Sequence, residues 1–284
     1  MAIRTLCISD IHVDINRAYP VMETLADYAV RKEAECILIA GDICEDVYKV
    51  REQMQQLKER TGARVYYVPG NHDLWHTKES GLTTDEIYRL YCEDENCLCG
   101  KQVVAGEHIV VGDVGWYDYS FGSSEYTGGQ YDGMEHEGRT WQDKYYNDWT
   151  VDNVGRNRWF LERMEGQLKK ARDYMKQENS RSSIGTIKGI VAVTHMLPHS
   201  AFTVPVDDKP MWKFFNAFLG SEELGRLYEQ YPVHYALCGH VHYRHEFTEN
   251  GIRYMCRCLN YASEWWGDKD IGTQLEKAAA FIEL

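Results

Sequence analysis

Along the first third of the chain, short apolar runs alternate with charged segments of helical spacing. Residues 3–8 (I-R-T-L-C-I) predict a strand, and residues 17–34 set Val21, Leu25, Tyr28 and Ala29 at helical intervals. Residues 36–40 (C-I-L-I-A) are apolar without interruption, the pattern of a strand buried on both faces. A charged helix is predicted over 46–60, ending near Gly62, and a third strand over 64–68 (R-V-Y-Y-V). This strand–helix–strand–helix–strand order predicts parallel pairing through right-handed crossovers.

The later chain is less regular. A short helix is predicted over 84–92, strand material turning at Gly106 over 103–112, and a long charged helix over 152–178. A strand follows at 188–194, two helices separated near Gly220 within 211–230, and a strand at 233–238. Residues 244–258 predict a hairpin turning at E-N-G, and the final A-A-A-F-I-E-L predicts a strand that closes the sheet. From 113 to 150 no periodicity is visible, but Gly, Tyr and Trp abound. A segment that long with that many aromatics predicts an ordered insert. No repeat or low-complexity linker divides the chain. The expectation is one domain over 1–284 with a cap-like, aromatic-rich insert around 113–150.

The predicted strands end in polar clusters: S-D-I-H, G-D-I-C-E-D, G-N-H-D, T-H and G-H-V-H. Ligand sites of open α/β sheets lie beyond the carboxyl ends of the strands, so these clusters should converge. They carry Asp10 and His12, Asp42, Asn71 with His72 and Asp73, His195, and His240 with His242. Carboxylate, imidazole and amide oxygen together suit divalent Mn, Fe or Zn. The set is too large for one tetrahedral ion and suits two ions sharing a bridging carboxylate. In D-x-H and H-x-H, alternate residues of an extended segment point the same way, so each pair offers two groups to one small region. Without cations, carboxylates gathered this closely would repel and at least one would titrate high.

Taken in order, these five motifs resemble the pattern D-x-H, G-D, G-N-H-[DE], H and G-H-x-H of the calcineurin-like metallophosphoesterase superfamily. The resemblance implies an α/β fold, a four-layer α/β/β/α sandwich with a dimetal site at the strand C-terminal ends. It implies that one ion takes Asp10, His12 and His242, the other Asn71, His195 and His240, and that Asp42 bridges them. His72 would be the catalytic imidazole, oriented by Asp73. Two ions roughly 3.5–4 Å apart would clamp a bridging hydroxide that attacks phosphorus. Proton donation by His72 would contribute roughly 10²–10⁴-fold.

Composition narrows the partner. Of 284 residues, 44% are hydrophobic and 26% charged, which is ordinary for a globular chain. The net charge of −13 argues against a polynucleotide or an anionic membrane and leaves a small phosphorylated substrate. A nuclease would want a Lys/Arg-rich run, and none occurs. A non-catalytic metal-binding scaffold is the alternative from another class; the presence of both His72 and Asp73 favours an enzyme. The apolar run at the N-terminus is too short for a signal peptide, and no stretch approaches the ~20 apolar residues of a membrane span. Nine cysteines, an odd number scattered through predicted strands, suit a reducing cytoplasm. The insert either covers a sheet edge or caps the metals. In the second case Trp116, Tyr117 or Tyr119 would pack on a base, sugar or aryl group, and His199 would line the pocket.

Overall fold

The C-I-L-I-A run is the centre from which the fold is built. In the computed structural model, which describes residues 1–77, 80–181 and 186–284, all five of its side chains are buried. Strands in chain order are β1 (Arg4–Ile8), β2 (Cys36–Ala40), β3 (Arg64–Val68), β4 (Gln102–Ala105), β5 (His108–Asp113), β6 (Glu135–His136) and β7 (Arg139–Thr140). They continue with β8 (Gly189–Thr194), β9 (Val233–Cys238), β10 (Arg244–Glu249), β11 (Ile252–Arg257) and β12 (Ala280–Glu283). One sheet has the order β12-β1-β2-β3 and a second has β10-β11-β9-β8-β5-β4, while β6 and β7 form a separate small ribbon. Pairing from β1 through β3 is parallel, as is pairing along β5, β8, β9 and β11. The antiparallel strands β12, β4 and β10 stand at sheet edges.

Because side chains alternate along a strand, each strand feeds two layers. Cys7, Leu38, Val68, Val110, Val193 and Leu237 meet between the sheets. Leu6, Ile8, Ile37 and Ile39 point outward to the helices Val21–Arg31 and Val47–Thr61 through Leu25, Val50 and Met54. On the far side, Ile109, Val111 and Ile190 pack against Met164 and Leu168 of the 29-residue helix Asn153–Arg181. The result is helix, sheet, sheet, helix. Each fully buried Leu or Ile contributes about 1.5–3 kcal/mol through burial.

Helix ends are set locally. Asp46 accepts from the backbone N–H of Tyr48 and Lys49 and so starts the helix Val47–Thr61; Gly62, at φ 68°, ends it. A helix not anticipated from the sequence, Ile271–Ala278, is capped by Asp270 through the Thr273 N–H. Its eight residues are too few for a clear period. Within the insert, short helices Gly128–Asp132 and Asp143–Tyr146 flank the β6–β7 ribbon. No helix among the described residues is long and apolar enough to cross a membrane.

Candidate metal centre

The loops that follow β1 and β2 run side by side. Asp10 N–H donates to Gly41 O, His12 N–H to Asp42 O and Val13 N–H to Ile43 O, at 2.8–3.0 Å. The turns are tight enough that Asp10, His12, Asp42, His240 and His242 all have positive φ, between 42° and 73°. Each such non-glycine residue costs about 1–3 kcal/mol, a strain that gathers at functional sites. The motif glycines have a separate task. A Cβ on Gly70 would collide with the Asp42 carboxylate, and one on Gly239 with that of Asp10.

The side chains converge in two groups: Asp10, His12, Asp42 and His242, and Asp42, His195 and His240. In the first, His12 Nε2 lies 3.2 Å from His242 Nε2 and 3.6 Å from Asp42 Oδ2, and His242 Nε2 lies 3.6 Å from Asp10 Oδ1. In the second, His195 Nε2 lies 3.1 Å from His240 Nδ1, 3.0 Å from Asn71 Oδ1 and 3.3 Å from Asp42 Oδ1. The two oxygens of Asp42 are thus divided between the groups.

Hydrogen-bond partners decide which ring nitrogens carry protons. His195 Nδ1 donates to Ala40 O at 2.9 Å, His240 Nε2 to Phe218 O at 3.1 Å, and His242 Nδ1 to Glu264 Oε2 at 2.7 Å. The opposite nitrogens therefore present lone pairs to one another and to carboxylate oxygens. Asn71 donates through Nδ2 to Asp143, so its Oδ1 also faces inward. Buried acceptors facing acceptors, without a proton between them, are costly. Cations resolve that cost, and these donors fit two divalent ions sharing Asp42.

The titration behaviour follows from the same crowding. Burial pushes His12, His72 and His195 well below the usual imidazole range, with neighbouring histidines adding to the effect, and pushes His240 to about 4. Burial also drives Asp10 and Asp42 upward, Asp42 further through Asp10 and Asp73. For His242 burial pulls downward, but the hydrogen bond to Glu264 and the Asp10 charge outweigh it, and the net shift is up.

His72 stands beside this cluster. Its ring stacks on Trp75 at 3.6 Å and meets the edge of His12 at 5.1 Å. Asp73 does not orient it, contrary to the expectation. The Asp73 carboxylate accepts the backbone N–H groups of Ile43, Cys44 and Gly70 at 2.7–2.8 Å and braces the two loops that carry Asp42 and Asn71. Those three donors use the carboxylate, while His72 Nδ1 is buried with no partner among the described residues.

The cluster opens into a cavity of about 1040 Å³ that has Asp42, Asn71 and His72 among its lining residues, with Trp141, Trp212 and Trp266 as further walls. The aromatics expected at the substrate are elsewhere. Trp116 is fully buried, donates to Asn153 Oδ1 and stacks on Tyr117; Tyr117 is fully buried and donates to Asp143. Tyr119 donates to Asp132. None of the three lines the cavity. Val114, just before them, is tied to the strand end by His195 and Met196 N–H donating to its carbonyl, so this run continues into the core. His199 is likewise outside: it pairs with Glu249 at 2.6 Å. The cavity-lining Trp141 and Trp212 carry no local signature in sequence. Trp75 does, since it directly follows N-H-D-L.

The sequence matches the family model for calcineurin-like phosphoesterase over residues 3–244. No curated protein matches it. Among solved structures, a phosphopantetheinyl hydrolase from Mycobacterium tuberculosis superposes with TM-score 0.66 at 18% identity, covering 92% of this chain and 90% of that one. A dimetal phosphatase from Danio rerio gives TM-score 0.47 at 13% identity, with 89% and 86% covered. The extent of the family match, on a sandwich with this ligand cluster at its strand ends, establishes that the chain belongs to the calcineurin-like phosphoesterase family, the metal-dependent hydrolases of phosphoester bonds.

Proposed function

We propose that the chain hydrolyses a phosphomonoester or phosphodiester of a small molecule with a bulky, planar or apolar leaving group, using two divalent ions of the Mn, Fe or Zn type. The observation that carries this is the cavity, in which the inward-facing ligand oxygens and nitrogens meet tryptophan walls. Asp10, His12 and His242 would hold one ion, Asn71, His195 and His240 the other, and Asp42 both. When bound, the ions supply Lewis acidity and activate water near neutral pH.

The remaining chemistry belongs to the chain. Burial and the nearby His242 and His240 keep His72 neutral in the free protein. An anionic phosphoryl group alongside it raises its basicity, so that it takes up a proton and delivers it to the leaving oxygen. Trp75 behind the ring limits where the proton can be placed. The volume is far above what a phosphoryl group needs and matches sites for drug-sized ligands. Trp141, Trp212 and Trp266 offer faces for a flat leaving group, and Lys209 and Lys277 line the same space. A net charge of −13 speaks against a polynucleotide. Nine free cysteines, with Cys256 and Cys258 sulfurs 3.5 Å apart, support a reducing cytoplasm as its place of action.

The test is hydrolysis of p-nitrophenyl phosphate, bis-p-nitrophenyl phosphate and naphthyl phosphate, with ions counted on the same sample. About two ions per chain, turnover of at least one ester and a lower KM for the naphthyl ester are expected. Two bound ions with no turnover on any ester would favour the metal-binding scaffold.

A further inference from the structure

Asp143 lies in the insert, 72 residues beyond Asn71, and is 2% exposed. Among the described residues no Lys, Arg or His side chain pairs with it. Four neutral donors surround it instead. Asn71 Nδ2 at 2.9 Å and Trp75 Nε1 at 2.7 Å share Oδ1; Trp141 Nε1 at 2.9 Å and Tyr117 Oη at 3.2 Å share Oδ2. A buried carboxylate without a cation is costly unless donors satisfy it, and charge-assisted bonds of this kind are strong and short.

We propose that Asp143 is a positioning residue that holds the Asn71 carboxamide with its oxygen toward the metal centre and fastens the insert to that centre. An asparagine amide has nearly the same shape with oxygen and nitrogen exchanged. Turned over, Asn71 would direct an NH₂ group at His195 and His240 and repel a cation. A carboxylate only accepts, so Asp143 admits only the Nδ2 face and leaves Oδ1 3.0 Å from His195 Nε2. The same oxygen fixes the indole of Trp75, on which His72 stacks. One insert residue thus sets both a ligand and the surface behind the catalytic imidazole. The proposal rests on the assignment of Asn71 as a ligand.

The experiment is calorimetric titration of Zn²⁺ into the metal-stripped full chain, for the parent, Asn71→Ala, Asp143→Asn and the double variant. Asn71→Ala should weaken one of two sites. Asp143→Asn should weaken the same site by roughly 10–100-fold, as loss of an outer-shell partner does, and leave the other unchanged. In the Asn71→Ala background it should add nothing further, since it acts through Asn71. Parent-like affinities in Asp143→Asn beside a weakened Asn71→Ala, or additive losses in the double variant, overturn the proposal alone. Unchanged affinities in Asn71→Ala overturn the ligand assignment and the proposal with it. Should Asp143→Asn not fold, the Asn71 side-chain amide protons of the Zn²⁺-loaded parent, identified by their absence from the Asn71→Ala spectrum, provide the second test. Slow exchange with solvent is expected, and exchange at the rate of an exposed amide overturns the proposal.

Discussion

Asp42 and Trp141 face the same cavity, yet the chain places them by different means. Asp42 lies two residues past a strand whose five side chains are all buried, in a turn braced by Asp73 and opposed by a glycine with no room for a Cβ. Everything that positions it is packed or hydrogen-bonded within the two-sheet frame. Trp141 sits between a two-residue strand and a four-residue helix, and its indole is held by the neighbouring Asp143. On the proposed function, the frame supplies rigidity for groups that must be placed closely, and the insert supplies shape for the substrate. Function in this fold is therefore expected to vary on the insert side and to fail on the frame side.

The sharpest break is Asp42→Asn. It should remove most of both ions and reduce turnover by several orders of magnitude, with elemental analysis as the check; a variant that still holds two ions removes Asp42 as the shared ligand. Next is His72→Ala, expected to lower kcat by about 10²–10⁴-fold while metal content stays near that of the parent. Loss of metal instead would make His72 part of the ligand frame.

Within the insert, two tryptophans should behave oppositely. Trp116→Ala should cost about 3–5 kcal/mol in denaturant unfolding with little change in KM, because the ring is core. Trp141→Leu should raise KM for naphthyl phosphate by about tenfold, within the ~1–3 kcal/mol that a stacked aromatic face contributes. Reversed outcomes would restore Trp116 as the substrate contact.

The smallest effect concerns acid stability away from the site. Burial, reinforced by His234, holds His108 on β5 down at about 4, below its ordinary 6.5. The neutral ring is favoured in the fold, so its contribution is complete above pH 6.5 and is lost as pH falls toward 4, where the unfolded chain takes up the proton and the folded one does not. His108→Phe should flatten part of that slope in urea unfolding at stepped pH. An unchanged slope would assign the acid sensitivity to the metal ligands instead.

The elements of the frame were legible because they obey local rules. Continuous apolar runs predicted β2 and β8, and β3, half-buried, showed in R-V-Y-Y-V. E-N-G marked the β10–β11 hairpin, with Asn250 and Gly251 both at positive φ. The seven converging groups could be picked out in the sequence because each lies within four residues of a strand's C-terminal end, where turn chemistry is local. The helix Ile271–Ala278 was missed for lack of length. The errors lie where the partner is distant in sequence: Asp73 turned to loop amides rather than His72, and Trp116 and Tyr117 turned to the core rather than the cavity.

What the sequence alone determined was the order of strands and the set of groups at their ends, because period, turn chemistry and spacing act over a few residues. Only the tertiary structure decided which aromatic rings wall the cavity, that Glu264 holds His242 from 22 residues away, and that Asp143 holds Asn71 from 72. Those choices depend on which side chains meet across the fold, and no local pattern encodes a contact whose two halves are ordinary residues until packing brings them together.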